Sequence, residues 1–186
     1  MATQPQTGLT YADLQRFPED NLRRELIDGE LIVTAAPGRG HQNAVLRLGA
    51  ALLAYVDEHG GAVYVAPREV FLTDRNVVEP DVVFLRSEHL GRDEEPFVRG
   101  APDLVVEVSS PSTRRLELVR KLELYERFAV GEYWYVDLDA DRVEVYRPTG
   151  ERYGPPVMAT RGEVLSSPVV PGFSIDVDDL VGPLET

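Results

Sequence analysis

The amino-acid sequence predicts a mixed α/β fold, in which a central mixed β-sheet is flanked by helices and carries an N-terminal β-hairpin as an extension. Three patterns favour this fold. Short apolar runs of strand length fill the middle of the chain, two longer segments carry apolar residues at helical spacing, and an Asp-Gly pair lies between two apolar runs near the start. Such an order is typical of a sheet covered by helices.

The first predicted elements are a short helix, for which Thr10 is the cap, and the hairpin. The segment Arg24–Val33 places apolar runs on both sides of Asp28-Gly29, which is typical of a two-residue hairpin turn. We expect residues 1–8 to form a flexible tail and the whole chain, 1–186, to form one domain.

The middle of the chain predicts one long helix and several strands. A loop at 37–40 precedes an amphipathic helix at roughly 42–58, which Gly60 and Gly61 end. The polar segments 74–76 and 87–100 are predicted loops. The apolar runs that follow the helix predict strands at Ala62–Ala66, Glu69–Leu72, Val82–Leu85 and Leu104–Val108.

A second helix and two strands are predicted next. Ser112 or Thr113 caps the helix and Gly131 ends it, and its apolar face is Leu118, Leu122, Tyr125 and Phe128. The two strands, at 133–137 and 142–147, are joined by a turn at 139–141. The C-terminal part contains only short apolar pieces between prolines and glycines, and it predicts no defined element.

Composition excludes several classes of site. The 186 residues contain no cysteine, so disulfides, thiolate metal sites and cysteine nucleophiles are impossible. No apolar run approaches the roughly 20 residues of a membrane span, and we expect a cytoplasmic protein with no membrane partner. The net charge of -13 opposes binding of a polyanion. Either basic residues cluster locally, or the substrate is not long DNA.

Two acidic residues lie in segments too apolar for solvent. Asp81 begins the run before Leu85, and Glu107 lies inside Leu104–Val108. Buried carboxylates must be paired, neutralised or bound to a cation, so a salt bridge to an arginine is the alternative to a metal site for each. Asp103, in a second Pro-Asp pair, shares the strand parity of Glu107 but is a weaker candidate.

Lys121 is the only lysine, since the other 18 basic residues are arginine. A lysine can lose its proton when its pKa is lowered, which arginine does not do. Its position after the Glu107 strand would let it orient or deprotonate a water, or neutralise charge on a phosphate. The alternative is an ordinary surface pair with Glu117, four residues earlier on the helix.

The sequence resembles the Uma family of restriction endonuclease-like bacterial proteins, within the PD-(D/E)XK nuclease superfamily. The resemblance starts at the hairpin and is most specific in Glu79–Phe84, Ala101–Thr113, Lys121–Tyr125 and Val130–Asp137. It implies a restriction-endonuclease-like core. It also implies that Asp81 and Glu107 bind Mg²⁺, for which Mn²⁺ can substitute. The catalytic lysine, by the same resemblance, has moved to Lys121, and Ser109 stands at the position that the lysine usually occupies.

The resemblance further implies accessory roles for Glu25, His41 and Glu117 beside the catalytic residues Asp81, Glu107 and Lys121. For His41, local packing at the start of a helix is the alternative. His59 and His89 are predicted in loops, which speaks against a histidine-rich zinc site.

We therefore expect an Mg²⁺-dependent endonuclease that hydrolyses phosphodiester bonds in nucleic acid, with DNA as the expected substrate. The alternatives are a catalytically silent binding or assembly module, which the acidic charge favours, and a hydrolase of small phosphorylated molecules. A homo-oligomer is also open. Its edge would be the strand with Tyr133, Trp134 and Tyr135, although core packing explains these aromatic residues equally well.

Overall fold

A computed structural model of the chain describes residues 7–18, 20, 22–109, 114 and 116–183. Most of the predicted tail, residues 1–6, lies outside these ranges. The same holds for Ser112 and Thr113, the predicted caps of the second long helix.

The described residues form α-helices, a 3₁₀ helix, a π-helical segment and β-strands. The α-helices are α1 (Tyr11–Leu14), α2 (Arg39–His59), α3 (Leu122–Arg127) and α4 (Val177–Val181), and Ser87–Arg92 is a 3₁₀ helix. A π-helical segment, Leu116–Lys121, runs directly into α3. The strands are β1 (Arg23–Ile27), β2 (Glu30–Thr34), β3 (Ala62–Val65), β4 (Glu69–Thr73), β5 (Asn76–Val78), β6 (Val82–Leu85), β7 (Phe97–Arg99), β8 (Leu104–Val108), β9 (Glu132–Asp137), β10 (Arg142–Tyr146), β11 (Val157–Thr160), β12 (Val164–Ser166) and β13 (Ser174–Asp176).

The strands form a six-stranded sheet in the order β11-β10-β9-β8-β6-β3, a five-stranded sheet in the order β2-β1-β5-β4-β7, and the pair β12-β13. Both large sheets are mixed, because β8 pairs with β9 and β4 with β7 in parallel while the other pairs are antiparallel. The predicted mixed α/β fold is therefore confirmed. The hairpin β1-β2 is not an extension, however, since β1 also pairs with β5 inside the second sheet.

The central strands of the six-stranded sheet, β6, β8 and β9, are buried on both faces. Alternate residues such as Phe84 and Val106 pack with Leu48 and Leu52 of α2, in the cluster that also includes Leu180 of α4. The intervening residues face the other way. They pack against α3 and the five-stranded sheet in a cluster that includes Val83, Val105, Leu124, Tyr133 and Val78. Because side chains alternate along a strand, Glu107 points to this second face together with Val105.

Several predicted boundaries are confirmed by local chemistry. The carboxylate of Asp13 accepts hydrogen bonds from the backbone N–H of Thr10 at 3.0 Å and from its hydroxyl at 2.8 Å, so Thr10 caps α1. The turn residues Asp28 and Gly29 have φ of 55° and 76°, as a type I′ hairpin turn requires. Strands β6 and β8 have the predicted bounds.

Other predictions are wrong. The predicted loop at 37–40 is shorter, because α2 already begins at Arg39. The last residue of the predicted loop at 74–76 begins β5, and the predicted loop at 87–100 contains β7. Both strands have three residues and are stabilised by pairing within the sheet. Helix α3 ends at Arg127, and the left-handed residue after it is Ala129, with φ of 57°, rather than Gly131.

The C-terminal part, for which the sequence predicts no element, contains β11, β12, β13 and α4. Leu165, Phe173 and Ile175 are buried there, and they close the first core cluster beside α2. Among the described residues, the structure contains no helix of the length and apolarity needed to cross a membrane.

The end of α2 gives a stability prediction. Gly61 has φ of 102°, and a Cβ there would lie 2.5 Å from the carbonyl oxygen of Leu85. We expect Gly61→Ala to lower the free energy of unfolding by about 2 kcal/mol, because it combines backbone strain with a clash against a strand. Gly91→Ala is the matched control, since a Cβ at Gly91 meets nothing within 4 Å. Urea unfolding of both variants measures the difference, and equal losses would contradict this account.

Candidate active site

Two buried carboxylates oppose each other across neighbouring strands. Strands β6 and β8 are antiparallel, with Val82 opposite Val106. Continuing that register by one residue brings Asp81, just before β6, opposite Glu107 of β8. Directly opposed residues of such strands point to one face with Cβ atoms about 5 Å apart. Asp81 is 1% exposed and Glu107 is 0% exposed, so the structure brings both predicted acids together away from solvent.

Asp81 accepts three hydrogen bonds. Oδ1 accepts from Arg23 Nη2 at 2.7 Å. Oδ2 accepts from His41 Nε2 at 2.9 Å and from the backbone N–H of Val108 at 2.7 Å. Burial acts to raise the pKa of Asp81, but the hydrogen bond to His41 and the charge of Arg23 outweigh it and lower the pKa to about 2. Asp81 is therefore ionised. The salt bridge to an arginine, its alternative explanation, is present.

Glu107 is paired with a lysine and a tyrosine instead. Lys121 Nζ at 2.8 Å and the Tyr125 hydroxyl at 2.6 Å both donate to Oε1. The other oxygen, Oε2, is buried and has no hydrogen-bond partner among the described residues. Burial raises the pKa of Glu107 to about 7, against the opposing charge of Lys121. Glu107 therefore carries one buried oxygen that is able to accept a ligand.

Lys121 bridges two acids. Its Nζ also lies 2.8 Å from Glu25 Oε1, and the side chain is 2% exposed. Burial acts to lower the pKa of Lys121, but the charges of Glu107 and Glu25 outweigh it and raise the pKa above its usual value. Lys121 is consequently an ammonium, which donates and neutralises charge but does not take a proton from water. An ordinary surface pair with Glu117 is wrong as the explanation of Lys121, because its side chain is buried.

The backbone around Lys121 departs from a regular α-helix. Lys121 is the last residue of the π-helical segment, and Tyr125 follows four residues later on α3. Residues at this spacing share a helix face, so both side chains reach the same oxygen of Glu107. Single π-helical turns inside α-helices are frequent at functional sites.

The three accessory candidates fall into two groups. Glu25 Oε1 accepts the backbone N–H of Glu79 at 2.8 Å in addition to its contact with Lys121, so it fixes the chain just before Asp81. His41, in the first turn of α2, contacts Asp81 directly. Glu117 is buried on the side of Tyr133, whose pKa is raised by burial, by the charge of Glu107 and by that of Glu117. The structure thus joins Glu25 and His41 to the cluster.

Two residues near the motif lie elsewhere. Asp103 directly precedes β8 and lies at the opposite end of that strand from Glu107. There it accepts hydrogen bonds from the backbone N–H of Arg86 at 2.8 Å and from His89 Nδ1 at 2.7 Å. Asp103 therefore stabilises the turn after β6. Ser109, in the usual lysine position, accepts the backbone N–H of Leu138 at 3.2 Å and ties β8 to the turn after β9.

Three further predictions are corrected by the structure. His59 is the last residue of α2, and His89 lies in the 3₁₀ helix, so neither is a plain loop residue. Tyr133, Trp134 and Tyr135 are 0% exposed, and β9 lies between β8 and β10. The proposed oligomer edge at these aromatic residues is wrong, and core packing explains them.

Sequence reasoning missed Arg23 and Tyr125. Arg23 lies on β1, two residues before Glu25 and therefore on the same face of the strand. That parity was a usable signal, because Glu25 was already a candidate. Tyr125 was assigned to the apolar helix face, and only its spacing of four residues from Lys121 hinted at a polar role.

The donor set around Asp81 and Glu107 fits a hard divalent cation. The acids of the cluster are Asp81, Glu107, Glu25 and Glu79, and its permanent cations are Arg23 and Lys121. Carboxylates therefore outnumber cations, and Glu107 Oε2 is a free carboxylate ligand. Across the part of the chain that the structure describes, no three His, Asp or Glu side chains form a ready metal cage. Mg²⁺ nevertheless needs only one or two protein carboxylates, with waters and phosphate completing its shell.

A groove of about 750 Å³ opens beside Asp81. Its polar end contains Arg23, His41, Glu79 and Asp81, Asp20 and Gln42 also belong to its lining, and its long wall is apolar. The wall comprises Leu46, Gly49, Ala50 and Leu53 of α2, together with Val63 and Val65 of β3. We call this wall the apolar wall. Ligand sites in proteins commonly have about this volume, roughly 300–1,000 Å³.

Comparison with known proteins supports the resemblance in the sequence. Residues 11–178 match the model of the Uma2 family, which is described as "Putative restriction endonuclease". An uncharacterized protein of Synechocystis sp. is 26% identical over 147 residues, which are 77% of this chain and 83% of that protein.

A solved structure shares the fold. A "putative nuclease belonging to DUF820" from Anabaena variabilis superposes with a TM-score of 0.78 at 18% sequence identity. The match covers 93% of this chain and 97% of the other. The likeness extends over nearly the whole of both chains, so it includes both large sheets and the helices that cover them.

Proposed function

The chain belongs to the Uma2 family, and from that premise we propose that it is a metal-dependent endonuclease acting on phosphodiester bonds, with DNA as the expected substrate. The predicted location is the cytoplasm, where a chain without cysteine is at no disadvantage. The acting residues of the proposal are Asp81, Glu107 and Lys121.

The observation that carries the proposal is the opposition of Asp81 and Glu107 across two strands, with the ammonium of Lys121 2.8 Å from Glu107. An excess of buried carboxylates is unfavourable unless a cation shares the site. Asp81 and Glu107 would hold that cation, Glu107 through Oε2 and Asp81 after exchanging its contact with Arg23 or His41. Bound Mg²⁺ would polarise the phosphate and lower the pKa of a water molecule.

The protein groups have distinct roles in this proposal. Tyr125 and Lys121 orient the Glu107 carboxylate through Oε1, which leaves Oε2 for the metal. His41 and the backbone N–H of Val108 orient Asp81. Lys121, as an ammonium, neutralises negative charge that develops on the phosphate. The alternative in which Lys121 deprotonates the water has less support, because its pKa is raised.

The direct test is nicking of supercoiled plasmid by purified protein with Mg²⁺ or Mn²⁺, repeated with EDTA. Cleavage that needs the metal and disappears in Asp81→Asn and Lys121→Met, while circular dichroism shows both variants folded, supports the proposal. Activity that survives both substitutions contradicts the assignment of the site.

Metal binding should depend on pH. The pKa of Glu107 is raised to about 7, so between about pH 4.5 and 7 the folded state binds a proton that the unfolded state releases, and this contribution to stability is lost as pH rises through 7. A cation competes with that proton and should bind more tightly at pH 8 than at pH 6. At about tenfold excess over Kd at pH 8, Mn²⁺ should raise Tm by about 3–6 °C. Scanning calorimetry at both pH values measures the shift.

Glu107→Gln is the control for this prediction, because it removes the titrating group while keeping its size. Its Tm should respond to Mn²⁺ equally weakly at both pH values. A wild-type protein whose Tm ignores Mn²⁺ at pH 8 would contradict the metal site.

The ion pair between Arg23 and Asp81 favours one second candidate, a catalytically silent module of the same fold. In that case Arg23 permanently takes the place of a metal at Asp81. Titration calorimetry separates the two candidates. Heat of binding at millimolar Mn²⁺ supports the nuclease, and none, with intact folding, supports the silent module.

A further inference from the structure

We propose that the groove beside Asp81 binds an unstacked base, so that the protein acts on single-stranded nucleic acid rather than on an intact duplex. This inference rests on the proposed function and specifies its substrate. The observation behind it is the apolar wall, which is continuous with the polar end that contains Arg23, His41 and Asp81.

The apolar wall is open to solvent. Leu46 is 69% exposed, Leu53 is 52% exposed and Val65 is 44% exposed. Exposed aliphatic side chains that form one surface next to a catalytic site indicate a ligand with an apolar face. Gly49 lies between them, where a Cβ would come within 2.9 Å of Val65 Cγ1, so α2 and β3 approach closely along the floor of the groove.

The charge distribution opposes a duplex. A duplex presents phosphates along its outside and is held mainly by lysine and arginine. Most arginines of the described residues already form ion pairs with carboxylates of the same chain. Beside the groove, Arg24 pairs with Asp20 at 2.7 Å and Arg23 pairs with Glu79 at 3.1 Å. Binding of many phosphates would therefore have to break many of these pairs.

An unstacked base fits this surface better. Its two faces are apolar, and enzymes that act on extruded bases hold them between aromatic or apolar side chains. With a base on the apolar wall, the adjoining phosphate lies toward the polar end, where Arg23 is the cation of the groove lining, Glu79 is its ion-pair partner and Asp81 belongs to the proposed metal site. Affinity then comes mainly from burial of the base and only slightly from charge, which is compatible with a net charge of -13.

The test is binding in EDTA, so that no cleavage occurs, measured by fluorescence anisotropy. The probes are a labelled oligothymidylate of about 12 nucleotides and a duplex of equal length. Wild-type protein should bind the single strand about tenfold more tightly or better, and with a shallow salt dependence. The variant Leu46→Ser/Leu53→Ser should lose about tenfold in affinity for the single strand.

The matched control is Val157→Ser/Val164→Ser. These valines are 55% and 59% exposed, and they lie on β11 and β12 outside the groove lining. Oligothymidylate affinity of this variant should equal that of the wild type. The inference is overturned if the duplex binds as tightly as the single strand, or if the leucine variant binds like the wild type.

Two other occupants would also overturn it. If thymidine monophosphate competes as well as the oligomer, the groove takes small phosphorylated molecules. If light scattering shows a wild-type dimer that the leucine variant loses, the apolar wall binds a second copy of the chain. Failure of the proposed function is distinguishable, since it appears as absent cleavage of the single-stranded oligomer with Mn²⁺ although the oligomer still binds in EDTA. Cleavage of duplex that ignores the leucine substitutions rejects this inference alone.

Discussion

Replacing Lys121 with methionine is expected to lower the free energy of unfolding by about 3–5 kcal/mol, the usual cost of removing one partner from a buried ion pair. Methionine keeps much of the length of the side chain, so a large cavity is not the cause. The cause is that Glu25 and Glu107, at 1% and 0% exposure, lose the ammonium that lies 2.8 Å from both. Urea unfolding followed by circular dichroism measures the loss.

The neighbouring Arg120 provides the control. Its ion pair with Glu30 is 3.0 Å long, but both side chains are 35% exposed, so Arg120→Met should change stability by less than about 1 kcal/mol. Adding Glu107→Gln to Lys121→Met should restore about 1–2 kcal/mol, since one unpaired charge disappears. If Lys121→Met loses less than about 1 kcal/mol, the ammonium does not bridge the two acids.

The strands that carry the acids were predictable because their own chemistry defines them. β6 is a fully apolar run and β8 is apolar except for Glu107, both are preceded by Pro-Asp, and both have the predicted bounds. The three-residue strands β5 and β7 were not predictable. Neither has enough apolar residues to indicate a strand. Each pairs with β4, and sequence periodicity gives no information about such pairing between separate segments.

The residues of the site differ in the same way, since some were predictable from local sequence and others were not. Asp81 and Glu107 were predictable from the cost of a carboxylate in an apolar run, and Lys121 from its being the only lysine. Strand parity with Glu25 places Arg23 on the same face of β1, but its contact with Asp81 was not predictable, because that contact spans two different sheets and 58 positions of sequence. The hairpin was read as an extension for the same reason, although it supplies both Arg23 and Glu25 to the cluster.

The contact between Arg23 and Asp81 affects how the proposed metal site would work. Arg23 reaches Asp81 Oδ1 and Glu79 together, so the five-stranded sheet occupies part of the coordination space of Asp81. Binding of the proposed metal at Asp81 would then require Arg23 to move away from its carboxylate, in one exchange of cations. A phosphate that attracts Arg23 would favour the exchange, which would link metal binding to substrate binding.

Asp81→Asn is expected to lower the rate of the proposed phosphodiester cleavage by about 10³-fold, because it would remove a charged ligand of the proposed metal, whose contribution to the transition state is several kcal/mol. Asparagine keeps the size of the side chain, and its oxygen still accepts from Arg23 or from the Val108 N–H, so the fold should persist. The measurement is the initial rate on plasmid and on single-stranded oligomer at fixed Mn²⁺, with circular dichroism and thermal unfolding as checks.

Asp103→Asn is the matched control for this rate. Asp103 also follows a proline before a strand, is 6% exposed, and accepts hydrogen bonds from Arg86 and His89, yet it lies at the far end of β8. Any loss that stems from a buried aspartate alone should therefore affect both variants. We expect the Asp103→Asn rate to stay within a few fold of wild type. If Asp81→Asn matches it, Asp81 serves the fold through Arg23 and not the reaction, and the acid that matters for a metal is Glu107 alone.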